Sequence, residues 1–465
     1  MSYFRSIVRV TNSKEILLMF NILKTKLTYA QFIALGYLLI ILLGGLLLSL
    51  PIASRSGQWT PYINSLFTAT SATCVTGLVV YDTFTHWSLF GQLVIISLIQ
   101  IGGIGFMTII TLFSMFLKRH IGLHERRLLM QSAGTLEVGG IVRLIKKIAI
   151  GTFLLEGVGA LLLATRFIPD MGYLRGSYNA VFHSISAFCN AGFDLMGKFG
   201  QYSSLTTYAG DVVVNITIMM LIVVGGIGFL VWNDILKFGI HFKKFQLHTK
   251  IVLVSTGLLI LIGAFLFFIL EYNASFAGLN MVEKIMAAFF QSITPRTAGF
   301  NTVDIAALSE SGSLLTMILM FIGGSPGSTA GGIKTTTFVV LLMGFIASSR
   351  HNASINIFKR RMDEDVVKQA SAIATIYLLV VLLSTLIIAA IQPFEMKQVL
   401  FEVISAIATV GLSTGITTSL NFISRIIIIL LMYGGRVGIL TLALVLAEKR
   451  ENVLINRPIE KILIG

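Results

Sequence analysis

The sequence predicts an all-α integral membrane protein: four tandem repeats of outer helix, pore loop and inner helix around one pore, with eight spanning helices. Three observations carry that fold class. The 465 residues are 55% hydrophobic and only 12% charged, the mean hydropathy is +0.88, and one short loop motif returns four times along the chain. A water-soluble chain of this length has no interior large enough for so much apolar surface.

The apolar runs come in order. Phe32–Pro51, Leu93–Leu117, Ile148–Thr165, Val212–Trp232, Ile251–Leu270, Leu314–Gly324 resuming to Ile346, Ser371–Ile391 and Ile426–Ala447 read as the spans, each near the ~20 helical residues that cross a hydrocarbon core. They divide the chain into a tail 1–28, repeats 29–120, 121–240, 241–350 and 351–448, and a tail 449–465. The start of the chain lacks the basic, apolar and small-residue succession of a cleaved signal peptide. Arg5, Arg9, Lys14, Lys24 and Lys26 make the N-terminal tail cytosolic in expectation. Eight crossings from there put Lys118, Arg119, Arg126, Arg127, Lys243, Lys244, Arg360, Arg361, Lys449 and Arg450 on the same side, as the positive-inside bias requires. The net charge of +14 is thus spread over topogenic loops, and no nucleic-acid partner is needed to explain it. Cys74 and Cys189 are the only cysteines; they lie in separate loops with no metal-ligand spacing around them.

Between alternate pairs of spans lies an apolar segment too short to cross. The four end at Gly77, Gly192, Gly299 and Gly411, and Phe67, Phe182, Phe289 and Phe401 each stand ten positions earlier. The interval between repeats is roughly 105–115 residues. A second marker, within the span that follows each loop, keeps phase: Gly102-Gly103-Ile104-Gly105, Gly225-Gly226-Ile227-Gly228, Gly323-Gly324-Ser325-Pro326-Gly327 and Gly434-Gly435-Arg436-Val437-Gly438. One such cluster would signify close helix packing; four in register signify an internal repeat.

A half-crossing helix ending in a glycine turn leaves irregular backbone at membrane depth, which survives only when buried in protein or lining a watery cavity. Four turns meeting on an axis can present carbonyls that replace an ion's hydration shell. The glycine permits a backbone conformation that a side chain would penalise. Each half-helix points its partially negative C-terminal end at the cavity, which favours a cation. Asp82, Asp194 and Asp304 follow the turns closely and are expected at the outer mouth, where they would concentrate cations or serve as ordinary solvated loop acids.

Thr73-Cys-Val-Thr-Gly77-Leu-Val, Phe188-Cys-Asn-Ala-Gly192-Phe-Asp, Thr294-Pro-Arg-Thr-Ala-Gly299-Phe-Asn-Thr302 and Thr409-Val-Gly-Leu-Ser-Thr-Gly415 resemble the loops of the Trk/Ktr/HKT superfamily of potassium transporters. The likeness runs from about Tyr29 to the terminus and is strongest to the membrane subunit of bacterial Ktr systems. By resemblance, the selectivity filter comprises Cys74, Val75, Thr76 and Gly77; Cys189, Asn190, Ala191 and Gly192; Arg296, Thr297, Ala298 and Gly299; and Ala408, Thr409, Val410 and Gly411. Backbone carbonyls would line the path and the side chains pack behind it. In plant relatives a serine in the first loop accompanies sodium transport, so four glycines imply potassium.

The third inner span carries Gly323, Gly324, Ser325, Pro326, Gly327, Ser328, Thr329, Ala330, Gly331, Gly332 and Lys334. It is too glycine-rich and polar to stay helical in a bilayer, and Pro326 removes a backbone donor. A plug beneath the filter follows, at the place of the superfamily's intramembrane gate loop. Arg436 is a charge within a span and by default marks an ion path. Alignment with Ile104, Ile227 and Ser325 places it on the pore-facing side, contacting the gate loop, with a pairing to Glu156 as the structural alternative. Glu156, in an outer helix, is alternatively expected to satisfy a neighbouring pore-loop or gate-loop donor, and is given no role in transport.

No nucleotide fingerprint or convergent nucleophile and base is present, so enzyme activity and a tightly bound cofactor are not expected; the metal is the transported K+. By resemblance the chain works in the bacterial plasma membrane as a homodimer on a cytosolic, nucleotide-binding KtrA-type regulatory ring. The tail Ile459–Gly465 is a candidate contact. Sodium activation, a property of relatives, is not legible in these residues. The rival reading is a sodium- or proton-coupled carrier; same-direction repeats argue against the inverted repeats usual in carriers.

Overall fold

A computed structural model describes residues 28–116, 122, 126–127, 129–130, 140–350 and 355–438. The N-terminal tail, Lys118 and Arg119, and the C-terminal tail with Ile459–Gly465 lie outside the described residues, as does the end of the last apolar run.

Four helices are unbroken and long: α1 (Tyr29–Ser49), α5 (Ile141–Met171), α9 (Leu247–Glu271) and α13 (Glu364–Ile391). Many of their leucines and phenylalanines face outward, as at Leu43, Leu161, Phe265 and Leu386. This reverses the soluble pattern, because lipid rather than water is the outer solvent. Each packs against a short helix of its own repeat: α2 (Tyr62–Thr73), α6 (Tyr173–Phe188), α10 (Met281–Ile293) and α14 (Met396–Ile407). At 12–16 residues these cannot cross. Their N-termini are set by local chemistry, most fully at α10, where Asn280 and Glu283 form a reciprocal capping box.

The first two inner spans differ from the expectation of single apolar runs. α3 (Leu89–Ile104) and α4 (Phe106–Phe116) meet at 94°, and α7 (Val212–Gly226) and α8 (Phe229–Phe238) at 95°. The third is divided into α11 (Glu310–Phe321) and α12 (Thr335–Ser349) by the segment between them. The fourth, α15, is described for Phe422–Val437 and ends at Gly438 with φ 96°. Among the described residues there are thus four long apolar helices, or six spans when each bent pair counts as one. The breaks sit at Gly105, Gly228 and Gly438, all with positive φ, a conformation that stops an α-helix and that glycine adopts without steric cost.

Close approach explains the other glycines of these clusters. A Cβ on Gly102, Gly225 or Gly435 would collide with the carbonyl of Thr73, Phe188 or Ile407, the last residue of α2, α6 or α14. The inner helices therefore lie directly against the C-terminal ends of the short helices. Equivalent positions are Gly102, Gly225 and Gly435, each three residues before its break. Arg436 corresponds to Gly103 and Gly226, not to Ile104 and Ile227 as the sequence alignment had it. Aligning on Gly434 places the fourth marker one residue out of step, and only the packed geometry resolves which glycine is the contact.

Candidate ion pathway

The four glycine turns close into a ring. The Cβ direction of Gly77 points within 3.3 Å of the Cα atoms of both Gly192 and Gly411; that of Gly299 lies 3.2 Å from Gly411 Cα and 3.3 Å from Gly192 Cα. The order around the axis is therefore first, second, third and fourth repeat, then the first again. Repeats two and four are diagonal.

Every turn has the same backbone. Gly77, Gly192, Gly299 and Gly411 have φ of 96°, 68°, 78° and 94°, and the residues two earlier, Val75, Asn190, Thr297 and Thr409, have φ of 58°, 58°, 79° and 52°. The intervening Thr76, Ala191, Ala298 and Val410 are not in this region. Alternation of this kind turns successive carbonyls toward one side, the requirement for a carbonyl-lined path. Left-handed backbone at the β-branched Val75, Thr297 and Thr409 costs on the order of 1–3 kcal/mol each, so the surroundings must enforce it. They do so with hydroxyls: Gly77 and Gly411 donate N–H bonds to Ser71 Oγ (3.0 Å) and Ser405 Oγ (3.1 Å). In the other two turns Ser186 and Thr294 donate to the carbonyls of Phe193 (2.7 Å) and Phe300 (2.5 Å). Both cysteines are fully buried, with Cys189 Sγ 3.6 Å from Gln100 Oε1. Arg296 is buried too, its guanidinium 3.4 Å from Thr256 Oγ1.

Above the ring lies a cavity of about 280 Å³, lined by all four glycines and by Asp82, Asp194 and Asp304. The three carboxylates are not equivalent. Asp82 is buried and its oxygens accept the N–H groups of Phe84, Thr85 and, from the second repeat, Tyr202, so it ties two repeats together. Asp304 is exposed and accepts only the Ala306 N–H among the described hydrogen bonds. Burial pushes the Asp194 carboxyl up to about 7, with the Met196 N–H opposing the rise and the Asp82 charge adding to it.

Below the ring, residues 323–334 form a compact loop. Its ends pair through Gly323 N–H and the Ile333 carbonyl (2.9 Å). The loop also completes the break in the second inner span. Ser325 and Thr329 donate to the carbonyls of Gly226 (3.0 Å) and Gly225 (3.3 Å), and Phe229 N–H donates to the Gly327 carbonyl (2.8 Å). A 95° bend orphans these groups, and in the absence of water each would carry a desolvation cost. Thr329 Oγ1 donates to the Phe188 carbonyl at the end of α6 (3.2 Å), and the Gly331 Cβ direction points at Thr409 of the ring. The loop therefore sits immediately beneath the four turns.

Arg436 bridges this loop to the first inner span. Its guanidinium donates to the carbonyls of Thr329, Gly102 and Gly103. Lys334 Nζ donates to the Ala330 carbonyl (2.7 Å) within the same loop. Glu156 is not its partner: both carboxyl oxygens lie 3.1 Å from Gln100 Nε2, behind the second turn. Sequence reading missed the left-handed residues at Val75, Asn190, Thr297 and Thr409, because nothing about a valine or threonine announces positive φ. Gln100 as the partner of Glu156 was equally hidden, while the pore-loop donor expected for that glutamate is present as Cys189, whose Sγ lies 4.0 Å from Glu156 Oε1.

A ring of four backbone turns at the meeting point of half-crossing helices, capped by carboxylates and underlain by a loop, defines a multi-span membrane protein of the cation-transport class. The TrkH family profile, described as cation transport protein, matches residues 24–454, and the chain belongs to that family. Among relatives, the potassium/sodium uptake protein NtpJ of Enterococcus hirae is 40% identical over 453 residues, covering 95% of this chain and 98% of its own. The Ktr system potassium uptake protein B of Bacillus subtilis is 40% identical over 429 residues (92% and 95%), and that of Vibrio alginolyticus 37% over 440 (94% of each). The crystal structure of the potassium transporter TrkH from Vibrio parahaemolyticus superposes with a TM-score of 0.70 at 18% identity, over 89% of this chain and 84% of that one; it establishes the likeness of fold.

Proposed function

We propose that this chain is the membrane subunit of a potassium uptake system and conducts K+ through a gated, filter-based pore of four linked repeats crossing the membrane eight times. The observation that carries the reading is the closed ring in which all four turns share the same alternation of positive and ordinary φ. Such a ring offers carbonyl oxygens at fixed spacing and no titratable side chain, which suits a monovalent cation shedding its water. The loop 323–334 is the gate, and Arg436 is its latch and an electrostatic barrier. Names borne by the relatives, a Ktr system protein among them, support a working complex with further subunits. We assign a homodimer on a cytosolic nucleotide-binding ring, with both termini on the cytosolic side of the plasma membrane.

Uptake in a transport-deficient bacterial strain tests this, with and without a KtrA-type partner, comparing potassium, rubidium and sodium. Potassium and rubidium uptake above sodium, raised by the partner, is the expected result. Equal sodium uptake would favour the substrate pair in the name of the Enterococcus hirae relative and defeat the potassium-selective reading.

The Asp194 carboxyl gives a pH dependence. Its pKa is raised to about 7, so it is neutral below that value and charged above it. Uptake at limiting potassium should rise between about pH 6 and pH 8 as the mouth gains a negative charge. Asp194→Asn should flatten that rise; an unchanged profile in this variant removes Asp194 from cation capture.

A further inference from the structure

The residues that follow the buried phenylalanines Phe67, Phe182, Phe290 and Phe401 of the four short helices are Thr68, His183, Gln291 and Glu402. All four are buried, yet only two reach beyond their own short helix by a hydrogen bond. His183 Nε2 accepts the N–H of Leu195 (3.3 Å), three residues past Gly192, while its Nδ1 lies 2.7 Å from the Asn179 carbonyl. This fixes a neutral ring with the proton on Nδ1. Glu402 accepts the hydroxyl of Thr417, six residues past Gly411, and Thr417 Oγ1 lies 2.9 Å from Ser413 Oγ, which in turn accepts the Gly415 N–H (2.9 Å). Thr68 instead donates to the Asn64 carbonyl of its own helix (3.1 Å), and neither amide atom of the buried Gln291 has a hydrogen-bond partner among the described residues.

We infer that His183 and Glu402 are a diagonal pair of positioning residues that hold the outer ends of the second and fourth turns and thereby set the ion discrimination of the ring. The inference rests on the reading of the ring as a filter. Two facts beyond the shared register support it. The braced turns are the two that face each other across the axis, so releasing either brace lets an opposed wall move while its neighbours stay. Glu402 also keeps one carboxyl oxygen buried with no partner, a desolvation cost of the kind that structure alone seldom retains. Threonine at this register carries no such cost, as Thr68 shows in the first repeat.

The test uses the full chain with its partner subunit and reads the ratio of potassium to sodium uptake and membrane abundance. His183→Phe and Glu402→Thr should each lower the ratio by about five-fold, the scale of one lost hydrogen bond, at near-normal abundance. Glu402→Gln, which keeps an oxygen for Thr417, should restore most of it. Thr417→Val removes only the hydroxyl and should match Glu402→Thr, which protects the test should that variant fold poorly. Thr68→Val should leave the ratio unchanged. A normal ratio in both Thr417→Val and His183→Phe overturns the struts, and so does a fall at Thr68→Val equal to theirs. A wild-type protein without potassium preference overturns the filter reading itself.

Discussion

Gly299→Ser is expected to abolish selective potassium uptake. The Cβ of any residue there would drive into the Val410 carbonyl of the neighbouring turn, and φ of 78° is unfavourable to a side chain whatever the space. The ring cannot absorb the intrusion locally, because Gly299 also stands against Gly411 and Gly192 on either side. Either the fourth turn is displaced and its carbonyls lose their spacing, or the third relaxes out of the left-handed region and turns a carbonyl away. A loss of only about 1.4 kcal/mol of discrimination is ten-fold in ion preference, so the potassium-to-sodium ratio should fall by at least about ten-fold. Ratios from isotope uptake, with membrane abundance as control, decide it. Retained selectivity would take Gly299 out of the filter.

Arg436→Ala is expected to raise potassium flux in the absence of the partner. Among the described residues the guanidinium is the one side chain whose hydrogen bonds join the loop 323–334 to the first inner span, through Thr329 on one side and Gly102 and Gly103 on the other. Hydrogen bonds from a charged group contribute roughly 1.5–3 kcal/mol each, so their loss should shift the loop toward its open position by ten-fold or more. On the proposed reading, loss of the positive charge should also lower the barrier to cations. Arg436→Gln separates the effects, since it removes the charge and keeps donors: flux midway between wild type and Arg436→Ala would mean that both contribute. Deleting Gly324–Gly331 should open the path as well. It is the less clean experiment, because it strands the carbonyls of Gly225 and Gly226 and the N–H of Phe229. Flux unchanged or lower in well-expressed Arg436→Ala protein would reject the latch.

Much of this site was legible in the chain. Phe67, Phe182 and Phe401, ten residues before their glycines, state that the same short helix and turn recur, since a repeated local conformation requires repeated local residues; in the third repeat the buried counterpart is Phe290, one residue nearer its glycine. The run from Gly323 to Lys334 announces irregular backbone, because that composition cannot hold a helix in lipid. Glu156 was visible as an oddity but not as the partner of Gln100, 56 residues away, because a contact between spans leaves no periodic trace. The continuity of the first two inner spans was misread for a related reason. Hydropathy registers the apolar character of α3–α4 and α7–α8 but not a right-angle bend at a single glycine.

The sequence alone determined the membrane class, the fourfold repeat and the positions of the ring glycines and the broken third span. Each of these follows from composition or from local backbone preference, which travels with the residues. Tertiary structure alone decided the cyclic order of the turns, the left-handed backbone at Val75, Asn190, Thr297 and Thr409, and the docking of the loop onto the bend of the second inner span. It also decided the register of Arg436 and the bracing by His183 and Glu402. These depend on which backbone groups are left without partners when distant segments meet in a medium without water, and that is known only once the segments have met.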